Sequence, residues 1–518
     1  MKHLLTGAAA SFILVGCAND SQPAALKDRS ADSVVARSGD PAQAEKALTA
    51  MSLNESGAGL LSFSEASLDG ATASFADVTI KSLDGVTIGS VSFEGLDVVD
   101  GDVSFGRLSL NDVEMSGDGA VEGGLNFGAI QLINPSPDLM GSISGVLQMA
   151  GQPDLPSDVS FDALSFSGLS GNFSDYDSDG SFTLGKIELL GMNDQKLDRF
   201  SISDVLASGQ DGNSVDFSLN ELVVAGMDLR LLDALIENSD DPDAMAEAMI
   251  DLVYGNPIEP GFDAVALDTM ALDMAGAKLE LPSLVSYVER NQDGMPVKFV
   301  TEPFELTARG DAKDGPIGAG FAEALAMVDL EEVSLKSASD GRYDPENDII
   351  EFASGSNYFE LGGVARVNMG GKLGGYVEAI GEMTDYNQIL LGMEPDPDQM
   401  FEALSEVSIH NFEISIDDLG LVDLGFSLAA AQSGQSPDEL KSQIIMGLGM
   451  APMMAQGAGV DMALVNETVT AFSSFLQSPG QLSIKLAPES PLSMADIIAA
   501  GDPAALTKEA LGLSITAN

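Results

Sequence analysis

The chain has 518 residues, 81 Asp plus Glu against 23 Lys plus Arg, and a formal net charge of −58, which excludes binding to nucleic-acid backbones and repels anionic lipid headgroups. Hydrophobic residues make up 45%, with 55 Gly, no Trp and one Cys; this is too apolar for a wholly disordered chain, and the core must be built from Leu, Val, Ile, Ala and Met without disulfide staples. The length exceeds what one compact core usually holds, so several modules or one elongated structure is expected.

Lys2 and His3 precede an apolar run over residues 4–15, the layout of a secretory signal and too short to span a bilayer. The run closes on Leu14-Val15-Gly16-Cys17, which resembles a bacterial lipobox in order and spacing. The resemblance implies cleavage before Cys17, acylation of its thiol, and a mature protein held at a membrane of the cell envelope and facing the periplasm. Ala18 stands where an Asp is the inner-membrane retention signal in enteric bacteria, which favours the outer membrane. Two or three acyl chains on one residue hold far better than one, at about 0.8 kcal/mol per buried methylene. Residues 1–17 are therefore read as the signal peptide. Residues 18–57 are read as a flexible tether, mixed polar and without sustained apolar period, in which Asp40-Pro41 starts a short helix reaching Met51.

From Gly59 the pattern changes, and residues 58–227 read as a strand-rich repeat region. A nine-residue unit with apolar first, fourth, sixth and ninth residues recurs. Its copies are Ile88, Val91, Phe93, Leu96; Phe105, Leu108, Leu110, Val113; Phe161, Leu164, Phe166, Leu169; Leu184, Ile187, Leu189, Met192; and Leu219, Leu222, Val224, Met227. Two more follow, Phe262, Val265, Leu267, Met270 and Leu404, Val407, Ile409, Phe412. These offsets spread over more than half a helical wheel. In a strand the inner pair shares one face and the outer two have opposite parity, so a bulge or bend near each end is needed to bring all four to one side. Gly95, Gly168, Gly191 and Gly226 stand just before the ninth residue and suit a bulge. Asp84-Gly85 and Asp118-Gly119 suit hairpin turns. Short strands joined by tight turns are predicted. A leucine-rich repeat would need Asn or Cys at its ninth position and a fixed period; neither is found.

Residues 228–518 read as a mixed β/helical region continuing the same elongated structure. Two short helices are predicted over 231–253, one over 395–404, one opening at the Ser436-Pro437-Asp438-Glu439 capping box, and one over 503–511. A hairpin is expected near Tyr343-Asp344-Pro345-Glu346, strands over 358–380, 481–486 and 513–515, and a capping box at Ser493. Residues 443–476 are helix-like and rich in Met, and 444–460 carry no charge. A membrane span is disfavoured there by Asp461 and poor flanking anchors. A buried helical hairpin is the plain reading, and a soft apolar surface adapting to an acyl chain or partner the sharper one.

No nucleophile elbow, P-loop, zinc-protease helix or dinucleotide fingerprint occurs. Once the signal is removed, His410 is the only histidine left, between Ile409 and Phe412 at a bend position that suits a structural role. No enzyme is expected. Asp175-Tyr176-Asp177-Ser178-Asp179-Gly180 matches the first half of a calcium loop, with Asp175, Asp177 and Asp179 as ligands. Its twelfth position, however, is Lys186 instead of a bidentate Glu, with Glu188 as a substitute only in a distorted loop. An acidic hairpin turn is the plainer reading.

The expected fold is mainly β with helical insertions (α+β): an elongated curved antiparallel sheet of short strands, with helices capping it and near the C-terminus. The strand motif from Ile88 to Met270, together with Phe475-Leu476-Gln477-Ser478-Pro479-Gly480 and the strand after it, resembles the AsmA-like and related β-groove proteins of the Gram-negative envelope. Those relatives usually carry an N-terminal membrane helix where this chain has a lipobox. The resemblance implies an apolar concave face, no catalytic residue, and lipid binding or transfer in outer-membrane upkeep. The alternative is a structural or surface lipoprotein, a closed sandwich or solenoid stabilised by calcium.

Overall fold

The computed structural model describes residue 26 and residues 29–81, 83, 85–116, 124–148, 158–175, 178–193, 196–211, 213–229, 258–313, 315–328, 330–375, 377, 379, 405, 407–456, 461–493, 495 and 507–518. Cys17, Asp177 and the helices expected over 231–253 and 395–404 lie outside these residues.

The chain enters through helix α1 (Pro41–Ala50), capped by the Asp40 side chain with Pro at the first position, as the sequence reading of that segment expects. Strands β1 (Leu61–Ser62), β2 (Glu65–Asp69), β3 (Thr72–Ile80) and β4 (Val86–Glu94) follow. A side hairpin of β5 (Asp97–Val99) and β6 (Asp102–Ser104) precedes β7 (Arg107–Ser116), β8 (Gly124–Ile133) and helix α2 (Pro137–Leu147). Then come the longest strands, β9 (Phe161–Asp175), β10 (Ser178–Asn193), β11 (Lys196–Asp211) and β12 (Asn213–Asp228). Next are β13 (Ala264–Met274), β14 (Ala277–Arg290), β15 (Pro296–Gly310), helix α3 (Pro316–Ala326), β16 (Glu332–Asp344), β17 (Ile349–Leu361), β18 (Ala365–Gly374) and β19 (Ser408–Asp418). Helices α4 (Leu421–Ser433), α5 (Pro437–Ala455) and α6 (Met462–Gln477) lead into β20 (Gln481–Leu486), β21 (Leu492–Ser493), α7 (Lys508–Leu511) and β22 (Leu513–Ala517).

Twenty of these strands form one sheet. Apart from the two-residue strands β1 and β21, which pair with β3 and β19, each pairs with the next main-sheet strand in sequence, antiparallel throughout, from β2 and β3 at one end to β20 and β22 at the other. The sheet is elongated and open, so the closed sandwich or solenoid does not form. The strands are longer than expected: β10, β11 and β12 each have 16 residues, against a usual five or six. What reads as a strand end in the sequence is a kink that the strand passes through.

The kinks are regular. Nine successive main-sheet strands from β3 to β13 each carry, at the eighth residue of the nine-residue unit, a residue with left-handed backbone: Asp77, Gly95, Asp112, Asn134, Gly168, Gly191, Asp204, Gly226 and Thr269, with φ between 43° and 69°. Opposite each lies the second residue of the unit on the adjacent strand. The unpaired positions thus line up across the sheet as Asp77, Gly89, Asp112, Gly128, Gly168, Gly185, Asp204, Asn220 and Thr269. A second line runs through Gly95, Gly106, Asn134, Asp162, Gly191, Asp198, Gly226 and Asp263. Register is one-to-one on both sides of each line, so no residue is added. The glycines mark the bend, not the bulge, of the two devices the sequence offers. Where a kinking Asp sits, its partner is small: a Cβ on Gly185 would stand 2.7 Å from the Cβ of Asp204. Asp tolerates the left-handed region through local hydrogen bonding, at a cost of about 1–2 kcal/mol relative to Gly. Asp204→Gly is therefore expected to be neutral or stabilising by up to about 1 kcal/mol, and Asp204→Val destabilising by about 2 kcal/mol; urea unfolding midpoints check both.

These two lines crease the sheet into three facets and put all four apolar residues of the unit on one side. At the N-terminal end Ile88, Val91, Phe93 and Leu96 are each at most 2% exposed and belong to one core with Phe75, Phe105, Ala44 and Met51 of α1 side, and Met140 of α2. Phe93 stacks edge-on with both Phe75 and Phe105, at centroid separations of 6.5 and 5.4 Å. At the C-terminal end α4 and α6 pack Val422, Phe426, Ala471 and Phe475 onto Leu482 and Ile515. Helices cap the two ends, and α3 packs against β14 and β15 between them.

The tether expected over 18–57 is corrected for the described part of it. Residues 29–39 form a strap packed on the other face of the sheet, where Ala31 fits among residues of the middle facet, while α1 packs on the apolar side. Ala31 is buried with Ile133, Ala163 and Leu190, and Leu26 with Val223, Ala225 and Ala264. A Cβ on Gly95 or Gly106 would meet the Arg37 carbonyl oxygen at 2.1 or 2.2 Å, so the strap backbone lies directly on the second kink line.

Candidate groove

Between the two kink lines each strand presents its fourth and sixth residues to the apolar side, and register aligns these into rows. One row joins Ile130, Phe166, Ile187, Ile202, Leu222, Leu267 and Leu284 from β8 to β14. The other joins Leu132, Leu164, Leu189, Phe200, Val224 and Val265 from β8 to β13. Seven strands at about 4.8 Å spacing make this floor roughly 29 Å long. The walls are the first and ninth residues beyond each kink. On one side Leu169, Leu184, Val205, Leu219, Met270 and Leu281 are aligned; on the other Phe161, Met192, Leu197 and Met227.

The same rows behave differently along the sheet. Over β3 and β4 they are sealed by α1 and α2. From β8 onward Ile130, Leu132, Leu164, Phe166, Ile187, Leu189, Phe200, Ile202, Leu222, Val224, Val265 and Leu267 are all only half-buried. The result is an open apolar trough. Beyond the first wall Phe182, Ala207, Phe217, Leu272 and Leu279 continue it as another aligned row, and they line a cavity of about 550 Å³ together with Lys278.

The opposite face of the same strands is polar and covered by the strap. Glu188, 8% exposed, accepts hydrogen bonds from the Ala31 backbone N–H at 2.7 Å and the Ser30 hydroxyl at 2.9 Å. It pairs with Lys186 Nζ at 2.8 Å, which also reaches Asp32 at 2.7 Å. Burial pulls the Lys186 ammonium pKa down, but its bonds to Asp32 and Glu188 outweigh that and hold it above its ordinary value. Arg199 reaches the Leu26 carbonyl, Arg107 the Val34 carbonyl, and Asn134 both the Arg37 N–H and the Val35 carbonyl. Charges hold the strap; apolar residues line the trough.

At the β14 end Arg290 clamps the chain entering β13, with bonds to Glu259 at 2.6 and 2.7 Å and to the kink residue Asp263 at 2.6 Å. Burial alone raises the Glu259 carboxyl pKa, but the Arg290 guanidinium more than offsets this and holds it below its ordinary 4.5. A depressed carboxyl stabilises the fold in full above pH 4.5, and that contribution is lost as pH falls through the folded-state value. Thermal melting from pH 7 to pH 3 is therefore expected to fall less steeply in Glu259→Gln than in the unmodified chain.

The residues singled out from sequence fall as follows. Asp175 ends β9 and opposes Ser178 at the start of β10, while Asp179 opposes Ser174; Asp177, between them, lies outside the described residues. Lys186 and Glu188 lie far down the same strand, about 23 and 30 Å from Asp179 at about 3.3 Å per residue, and are committed to the strap. Among the described residues no group of three or more His, Cys, Asp or Glu could hold a metal ion. His410 lies in β19 beside Gly374, where a Cβ would come within 3.3 Å of its Nε2. The sequence reading missed the copy of the unit in β11, Leu197, Phe200, Ile202 and Val205, although it keeps the spacing and has Asp198 and Asp204 at the kink positions.

Residues 358–518, from within β17 to the end of the chain, match a family model described only as an uncharacterized protein. No curated protein matches the chain.

Proposed function

We propose that this chain is a lipid-anchored protein of the cell envelope that binds or transfers lipid, or another apolar ligand, along its β-groove in support of the outer membrane, without catalysis. The observation that carries this reading is the pair of unbroken apolar rows left open from β8 to β13. A closed core would cover them, as α1 and α2 do at the other end. At about 25 cal/mol per Å² of apolar surface, filling such a floor with an acyl chain is strongly favourable. The acidic exterior repels anionic headgroups, so the trough suits the apolar part of a ligand. The lipobox Leu14-Val15-Gly16-Cys17 supplies the anchor, with the periplasm-facing outer membrane favoured by Ala18.

The test is extraction of the purified protein, with its N-terminal acyl groups removed, followed by mass spectrometry. Co-purifying lipid is expected; a chain that carries none and takes up none from vesicles would falsify the groove reading. Separately, Cys17→Ser is expected to move the protein from the membrane fraction to the soluble one, and retention in the membrane fraction overturns the anchor.

A further inference from the structure

The Met-rich segment read from sequence as the inside of a helical hairpin is not inside anything. Helix α5 has no buried residue. Met446, Met450, Met453 and Met454 are 71, 55, 77 and 79% exposed. At 100° per residue these four lie within an arc of about 100°, a single stripe. The other side of α5 faces α4 and α6, so the stripe points away from the body. Residues 442–460 contain no Asp, Glu, Lys or Arg, in a chain of net charge −58.

We propose that the methionine stripe of α5 is a membrane-contacting face that inserts into the interface of a neutral, zwitterionic bilayer. This inference rests on the lipid-handling reading above and adds the site at which the body meets the membrane. The charge distribution selects the occupant. A basic partner is drawn to the acid-covered strands, not to an uncharged stripe. A second copy brings its own −58 charge against this one, and four methionines on one helix fall short of the roughly 800 Å² per partner of a stable protein interface. A neutral lipid surface meets neither obstacle. Flexible, polarizable Met side chains suit an irregular acyl boundary, and no described helix is long and apolar enough to cross a membrane, so α5 lies in the interface. A stripe and an anchor together also satisfy the two-signal requirement for stable membrane attachment.

The test uses the full chain with Cys17→Ser, so that no acyl anchor contributes, and phosphatidylcholine vesicles as the probe. Cosedimentation is expected, weakening as anionic lipid is added. The four-fold variant Met446→Glu, Met450→Glu, Met453→Glu, Met454→Glu, all at exposed positions, is expected to bind at least about tenfold more weakly with an unchanged circular dichroism spectrum and melting temperature. No binding to phosphatidylcholine by the Cys17→Ser chain, or equal binding by the four-fold variant, overturns the proposal. So does concentration-dependent dimerisation that the four-fold variant abolishes and vesicles do not compete. Lipid recovered from the four-fold variant, with its N-terminal acyl groups removed, reports on the trough alone, so the two readings fail independently.

Discussion

Glu188→Ala is expected to lower the unfolding free energy by about 3 kcal/mol, read from urea denaturation, and to open residues 29–40 to limited proteolysis while the sheet remains folded. The reason is the number of groups that converge on one buried carboxylate. The Ala31 N–H and the Ser30 hydroxyl both donate to it, and Lys186 is held against it. Removing it leaves a buried backbone donor unpaired and strips the half-buried Lys186 ammonium of one of its two carboxylate partners, and each such loss costs more than an average hydrogen bond contributes. Glu188→Gln keeps an acceptor for Ala31 and loses only the charge, so about 1 kcal/mol is expected. If the alanine and glutamine variants lose equally, the strap is held by its apolar contacts at Ala31 and Leu26 instead.

That strap also marks the limit of what the sequence discloses. The nine-residue unit is legible because parity is a local property: four apolar residues with the wrong alternation demand bends, and Gly95, Gly168, Gly191 and Gly226 advertise where. Their left-handed backbones agree with that expectation. The same conformation at Asp77, Asp112 and Asp204 is not advertised, since Asp occurs as readily on an ordinary exposed strand position. The strap is invisible for a different reason. Its packing matches Ala31 to Ala163 and Leu190, residues more than a hundred positions away, and no local period records a fit of that kind. For α5 the sequence carries composition but not environment. A run of Met and Gly reads equally as core filling and as an exposed stripe, and only the placement of α4 and α6 decides.

Phe93→Ala is expected to cost about 4 kcal/mol, and Phe166→Ala no more than about 1 kcal/mol, although the two occupy the same sixth place of the same unit. Phe93 is 1% exposed, wedged between Phe75 and Phe105 under α1 and α2, so truncation removes buried area, leaves a cavity and breaks two edge-on contacts, each worth about 0.5–1.5 kcal/mol. Phe166 is half-buried on the open floor, tilted against Phe127 at 6.4 Å, and solvent already reaches the site that a cavity would occupy. The comparison by thermal melting of the two variants separates a sealed core from an open trough without any ligand assay. It also couples stability to function in a defined order. Apolar floor residues whose loss barely affects folding carry a solubility cost in an acidic chain, and under the proposed function a bound apolar ligand would offset that cost. Lipid content should therefore fall in Phe166→Ala while its melting temperature holds. Equal destabilisation by the two substitutions would mean that the floor is sealed along its whole length and the groove reading fails with it.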